Sequence, residues 1–131
     1  METNNIKIVK DYLSKLLANN KDEAFELVAE EALWTVEGSD NVPTVGKRKG
    51  KQEIDVYFEN FKNNFDPKEF NINHYFEKKD TVFVIGNFTH LIKKTQKLVS
   101  SDWMMEYKLK GDKITSYKIL EDSYALYLAF K

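Results

Sequence analysis

The chain has no cysteine, and Gly and Pro number only 5 and 2 in its 131 residues. Without thiols there is no disulfide framework, no thiol nucleophile and no thiolate-held metal. The few Gly and Pro residues cluster between Gly38 and Gly50, with Pro67 and Gly111 marking later junctions. No repeat or low-complexity tract occurs, and no apolar run approaches the roughly 18–20 residues needed to span a bilayer. Net charge of one sign is also missing: 20 basic and 21 acidic residues leave a formal charge of -1. That balance offers no electrostatic footprint for nucleic acid or an anionic membrane, so neither is expected as a partner. Met1 to Ile6 lacks a basic segment leading into an apolar one, so no signal peptide is expected and a cytoplasmic, reduced location is the default. Asn87-Phe88-Thr89 matches a glycosylation acceptor, which without a secretory signal reads as coincidence.

What is present is a core. Hydrophobic residues make up 42% and aromatics 14%, which excludes global disorder. A chain of this length buries about two-thirds of its unfolded surface, enough for one domain over residues 1–131.

Ile6, Val9, Leu13, Leu16 and Leu17 recur at helical spacing, with Thr3 or Asn4 as cap and Asn19-Asn20 as stop. A shorter helix is predicted over Asp22 to Glu30, then a strand from Leu33 to Glu37 closed by Gly38. Ser39 to Gly50 reads as a loop. In the next helix Ile54, Tyr57, Phe58, Phe61 and Phe65 form one face, and Asp66-Pro67 stops it.

Alternation then takes over. One strand carries Phe70, Ile72, His74 and Phe76 on a single face, and Lys79-Asp80 makes a tight turn. Thr81 to Leu91, Leu98 to Leu109 and Lys113 to Leu120 follow as strands, the last two joined at Gly111-Asp112. Residues Asp122 to Lys131 fit either a short capped helix or a strand extension. The order α-α-β-α-β-β-β-β argues for an α+β fold with an antiparallel sheet. Both faces of Thr81 to Leu91 are apolar, so the outer face needs covering. A homodimer through that sheet face is expected over the alternative, a C-terminal tail folding back across it.

Ala32-Leu33-Trp34-Thr35-Val36-Glu37-Gly38, then Pro43, Gly46 and Gly50 before an aromatic helix, resembles SnoaL-like polyketide cyclases and their nuclear transport factor 2-like relatives. Val82-Phe83-Val84-Ile85-Gly86, Trp103-Met104-Met105-Glu106-Tyr107, Gly111-Asp112-Lys113-Ile114 and the ending Tyr117 to Asp122 extend the likeness over nearly the whole chain. The resemblance implies a strongly curved mixed, mostly antiparallel sheet wrapped round three N-terminal helices, a conical α+β barrel with a deep apolar pocket. Such proteins isomerise, cyclise, dehydrate, hydrolyse epoxides or simply bind ligands, so the fold leaves the reaction open.

The steroid isomerases of this superfamily place a carboxylate base where this chain has Val36 and a protonated acid where it has Trp103; only Tyr12 fits their oxyanion donor. The epoxide hydrolases need an arginine–aspartate pair where this chain reads Gly86-Asn87-Phe88-Thr89-His90. Polyketide cyclases of this type use one acid–base carboxylate and no cofactor, which makes Asp122 the candidate, with Glu121 as the neighbouring option. The competing role for Asp122 is to cap the segment after it. His74 is a weaker candidate base, read more readily as a core or interface histidine, and His90 is expected to be exposed.

No metal-ligand spacing and no phosphate loop occur, so neither metal nor cofactor is expected. Gly46-Lys47-Arg48-Lys49-Gly50-Lys51 reads as a solvated basic turn. Tyr12, Trp34, Val36, Phe58, Trp103, Met105, Tyr107 and Tyr117 are the expected pocket lining, shared between wall and core. The expected ligand is a hydrophobic or aromatic small molecule, bound or turned over without cofactor. The alternatives are a non-catalytic carrier, or a protein-association module using the outer sheet face.

Overall fold

The computed structural model describes residues 2–131. Two N-terminal helices, α1 (Asn4–Leu17) and α2 (Lys21–Phe25), precede strands β1 (Val28–Val36) and β2 (Gly46–Lys49). Helix α3 (Lys51–Asn64) leads into four consecutive strands, β3 (Phe65–Lys78), β4 (Thr81–Ile92), β5 (Lys97–Lys110) and β6 (Lys113–Glu121), and helix α4 (Ser123–Ala129) ends the chain. The strands form one curved, unclosed sheet in the order β2-β1-β6-β5-β4-β3. All neighbours are antiparallel except β1 and β6, which run parallel and make the sheet mixed. The fold class agrees with the α+β expectation.

Burial alternates strictly along β4: Val82, Val84, Gly86, Phe88 and His90 are buried, and the residues between them are partly exposed. That period of two defines a concave face packed under the helices and a convex face towards solvent. Val9, Tyr12 and Leu13 of α1 and Ile54 of α3 are buried against the concave side. Thr3 caps α1 and Asn20 caps α2, each side chain accepting a backbone N–H of the first turn.

Several expectations are corrected. Helix α2 ends at Phe25, because β1 begins at Val28 and pairs there with Ile114 before a register shift. The stretch read as a basic turn contains β2, in which Lys47 and Lys49 face solvent while Arg48 turns inward opposite Trp34. Strand β3 starts at Phe65, ahead of Pro67, which a sheet edge tolerates.

A register shift between Ile72 and His74 breaks the single-face reading of β3. Ile72 pairs with buried Gly86, but His74 and Phe76 pair with Ile85 and Phe83 on the convex side. One extra residue swaps every side chain beyond it to the other face. His90 is buried at 4% exposure, where an exposed histidine was expected. The chain's tail forms α4, whose Phe130 packs on Phe65 in the concave core, so it leaves the convex face uncovered.

Candidate functional site

Pairing registers arrange the concave face in rows across the sheet. One row runs Val82, Tyr107, Tyr117, Trp34 and Arg48 from β4 to β2. The next runs Val84, Met105, Ile119 and Val36, and the one after it Ile72, Gly86, Trp103 and Glu121.

The first row is closed by its own rings. Trp34 stacks on Tyr117 with ring centres 4.9 Å apart, and Tyr107 lies 5.2 Å from Tyr117. Tyr12 of α1 meets Tyr107 at 5.8 Å and Trp34 at 6.3 Å, both edge-on. These four aromatics interlock as core, and the Tyr107 hydroxyl donates to Met105 Sδ. Phe58 turns towards Phe25 of α2 and away from this cluster.

Burial loosens along β6, from Ile114 at 0% through Tyr117 at 4% to Ile119 at 7%, and Glu121 is only partly buried. Exposure thus rises slightly along the concave face of β6 towards Glu121. Tyr57 of α3 stands over this end, 6.5 Å from Tyr117 between ring centres, with the Arg48 guanidinium 5.4 Å from its ring centre. The Arg48 donors go to backbone carbonyls, with Thr44 O the nearest at 2.8 Å.

Desolvation lifts the Glu121 carboxyl from 4.5 to about 7, and no hydrogen bond or cation among the described residues offsets it. Burial holds the Tyr57 and Tyr117 phenols well above their ordinary value, and the Glu121 charge adds to both, for Tyr117 after the neighbouring phenols Tyr57 and Tyr107. At neutral pH the site thus presents one carboxyl balanced between acid and base, within electrostatic reach of two phenols that keep their protons. Such a carboxyl accepts a proton from a weak carbon acid and returns it, the requirement for general acid–base work.

Trp103 Nε1 on this wall is also buried without a hydrogen-bond partner. The Phe70 ring lies parallel to the indole with centres 5.1 Å apart. Gly86 lets the indole lie against the sheet: a Cβ there would stand 2.4 Å from Trp103 Cζ2 and 1.9 Å from Asn71 O.

The two neighbouring residues at the end of β6 are sorted by the pleat. Tyr117, Ile119 and Glu121 share the concave face, and period two carries Asp122 off it. Asp122 is exposed, and its Oδ1 accepts the Ala125 N–H at 2.9 Å as the N-cap of α4. The capping role, not the acid–base role, is the one its contacts describe. His74 is exposed on the convex side beside Phe76, away from Glu121. Tyr12 is 1% exposed inside the aromatic cluster.

Tyr57 and Arg48 are the residues at this end that sequence reasoning did not assign to a site. Tyr57 was legible only as one of five apolar-face positions, and Arg48 was hidden in a run of lysines. Among the described residues no group of three His, Cys, Asp or Glu side chains converges as a metal site would. Two shallow surface depressions of about 530 Å³ each lie elsewhere, one bordered by Asn87, Asp102 and Asp122 and the other by Glu30, Lys49 and Glu53. No helix among the described residues is long and apolar enough to cross a membrane.

Among known structures, an NTF2-like protein from Burkholderia xenovorans LB400 superposes with a TM-score of 0.90 at 22% identity, over 98% of this chain and 96% of that one. A proposed SnoaL-like polyketide cyclase from Mesorhizobium loti gives 0.72 at 19% identity over 88% and 97% of the two chains. A proposed isomerase from Bacillus subtilis gives 0.79 at 15% identity over 97% and 92%. At these identities the likeness speaks for the fold. No curated protein matches the sequence. The SnoaL-like domain family model matches residues 9–117, and the chain belongs to that family.

Proposed function

We propose that this protein binds a hydrophobic, planar small molecule at the Glu121 end of the aromatic concavity and moves a proton on it with that residue, without a cofactor. The supporting observation is a carboxyl on the concave face with no counter-charge among the described residues, within electrostatic reach of two protonated phenols. A purely structural carboxylate in such a place would be paired or hydrogen-bonded, since burying one unpaired costs stability. In the proposed step the Glu121 carboxylate takes a proton from a carbon next to a carbonyl. The electron pair moves onto the carbonyl oxygen, towards Tyr57 and Tyr117 as donors, and the proton returns at the same or a conjugated carbon. No electron is gained or lost, as isomerase, cyclase and dehydratase chemistry requires. The kinship with a proposed isomerase and a proposed polyketide cyclase supports this reaction class.

A test that needs no natural substrate is deuterium exchange into 2-tetralone, a bicyclic ketone with acidic α-hydrogens, followed by NMR in D₂O. Wild-type protein should accelerate exchange over buffer, and Glu121→Gln should cut that acceleration by roughly 10²-fold or more while probe binding persists. Equal exchange in the two proteins would remove Glu121 from the chemistry. Binding with no exchange in either would leave a carrier.

The convex face supports a proposal about assembly. His74, Ile85, Met104 and Leu120 form one row across four strands, and Leu120 is 48% exposed. Since α4 packs on the other side, a second copy of the chain is the proposed cover. Sedimentation equilibrium should show a dimer that Leu120→Glu dissociates; a wild-type monomer at high micromolar concentration would refute it.

A further inference from the structure

We infer that Arg48 is a positioning residue: it latches residues 39–45 as a strap across the Glu121 end, so that a ligand reaches that end only when the latch lets go. The inference rests on the small-molecule reading above and adds to it the route by which the molecule enters.

The strap's course is set by the strand it leaves. Val36 of β1 is the register partner of Ile119 in the parallel pair with β6, so the chain runs off β1 alongside Glu121. A Cβ on Gly38 would lie 3.6 Å from Ser123 Cβ, at the start of α4. Asn41 Nδ2 donates to Tyr127 O of α4 at 3.1 Å. Pro43 O accepts from Asn60 Nδ2 at 3.3 Å, one turn of α3 beyond Tyr57. The segment thereby bridges α4, which follows directly on Glu121 and its neighbour Asp122, and α3, which carries Tyr57. Val42 and Thr44 are buried along it, at 3% and 5% exposure, and no strap residue borders either surface depression. This end is closed, and the strap is what closes it.

The strap is hinged and tied. Glycines flank it at positive φ, Gly38 at 155° and Gly46 at 143°, where a residue without Cβ absorbs a backbone rotation most readily. The ties are polar and centre on one side chain. Arg48 donates from Nη1 to Thr44 O at 2.8 Å, and from Nη2 to Pro43 O and Val45 O at 3.4 and 3.5 Å. Its guanidinium also lies over Tyr57, 5.4 Å from the ring centre. A planar fork does both at once, edge to the carbonyls and face to the ring, which a lysine cannot. Arg48 thus joins the strap to the phenol beneath it, and acts on the site through the strap.

The experiment compares wild type with Arg48→Lys, which keeps the charge and loses the fork, and with Asn41→Ala, which cuts an exposed tie and leaves Tyr57 untouched. Amide hydrogen exchange read by mass spectrometry should show residues 39–45 exchanging about 10-fold faster or more in Arg48→Lys, with a smaller gain in Asn41→Ala and no change in β4 and β5. Stopped-flow association of 2-tetralone, followed by intrinsic fluorescence, should accelerate in the same order. A strap that loosens while association keeps the wild-type rate is a structural tether only, and overturns the latch. Amide exchange that ignores both substitutions overturns it too. Where Arg48→Lys folds poorly, Asn41→Ala decides by the same two readouts. Tetralone that binds to wild type at a rate the strap does not control removes the latch alone. Tetralone that binds to none of the three removes the ligand end, and the latch falls with it.

Discussion

His90 and Glu121 occupy the same concave face, one in β4 and the other at the end of β6, and the same cause shifts both. Desolvation lowers the His90 imidazole from 6.5 to about 4 and raises the Glu121 carboxyl from 4.5 to about 7, with no charged neighbour prominent in either case. Their surroundings differ completely. His90 stacks on Phe88 with centres 4.2 Å apart and meets the edges of Phe61 and Phe65 at 5.4 and 5.7 Å. It is a ring among rings, and its unpartnered Nδ1 is sealed in. Glu121 lies where burial is easing towards solvent, beside hydroxyls. A perturbed titration thus does not by itself mark a site. The perturbed group that also keeps access and polar company is the one available for chemistry.

The largest effect expected from this comparison is on acid stability. An unfolded chain protonates His90 below pH 6.5, whereas the folded chain resists until about 4. The neutral form favours folding, so the His90 contribution is intact above pH 6.5 and is lost as pH falls from there to about 4, in all roughly 3 kcal/mol. His90→Phe fits the aromatic surroundings and has nothing to protonate. Urea unfolding at pH 7.5 and 4.5 should show the variant losing about 2–3 kcal/mol less than wild type. An identical pH slope would mean that water or a side chain reaches Nδ1, and the contrast with Glu121 would collapse.

Glu121 works the other way. The folded state holds its proton up to about pH 7 and the unfolded state only to 4.5, so stability is lost as pH rises through that window. Replacing it with glutamine should leave stability at pH 4.5 nearly unchanged and raise it at pH 8 by about 1–2 kcal/mol, less than full burial would give because the carboxyl keeps some solvent contact. Thermal melts at the two pH values check this. A variant less stable at pH 8 would show that the carboxylate is paired, and the argument for a poised acid–base group would fail. Stabilisation on removal, coupled to loss of tetralone exchange, is the trade expected of a functional residue.

Much of the fold was legible in the sequence, the contrast between His90 and Glu121 was not, and the misses have physical reasons. Helices α1 and α3 and strands β4, β5 and β6 follow from periodicity alone, because each buries one face. Strand β2 escaped because its only inward side chain is Arg48, flanked by two lysines facing solvent. Burial there is achieved by stacking on Tyr57 and by backbone carbonyls, which composition does not display. His74 was assigned to the wrong face because the register shift after Ile72 is invisible in an otherwise regular alternation. Glu121 could have been chosen over Asp122 by counting in twos from Tyr117. What obscured it was the resemblance, which pointed to Asp122, since both residues carry a carboxyl at that junction. The orphan state of Trp103 Nε1 was beyond reach, because it depends on what three neighbouring strands fail to offer.

The smallest predicted effect separates the two adjacent carboxylates. Asp122 contributes one cap bond to a seven-residue helix and is exposed, so Asp122→Ala should cost about 1 kcal/mol. The backbone N–H of Asp122 still donates to Ser101 Oγ in the variant, which keeps the end of β6 tied to β5. Tetralone exchange should therefore remain within about 2-fold of wild type, against the roughly 10²-fold loss for Glu121→Gln. The comparison is made at 15 °C, where the destabilised variant stays folded. If Asp122→Ala abolishes exchange while its circular dichroism is unchanged, the acid–base group is the cap residue, and the sorting of these two carboxylates by the pleat is wrong.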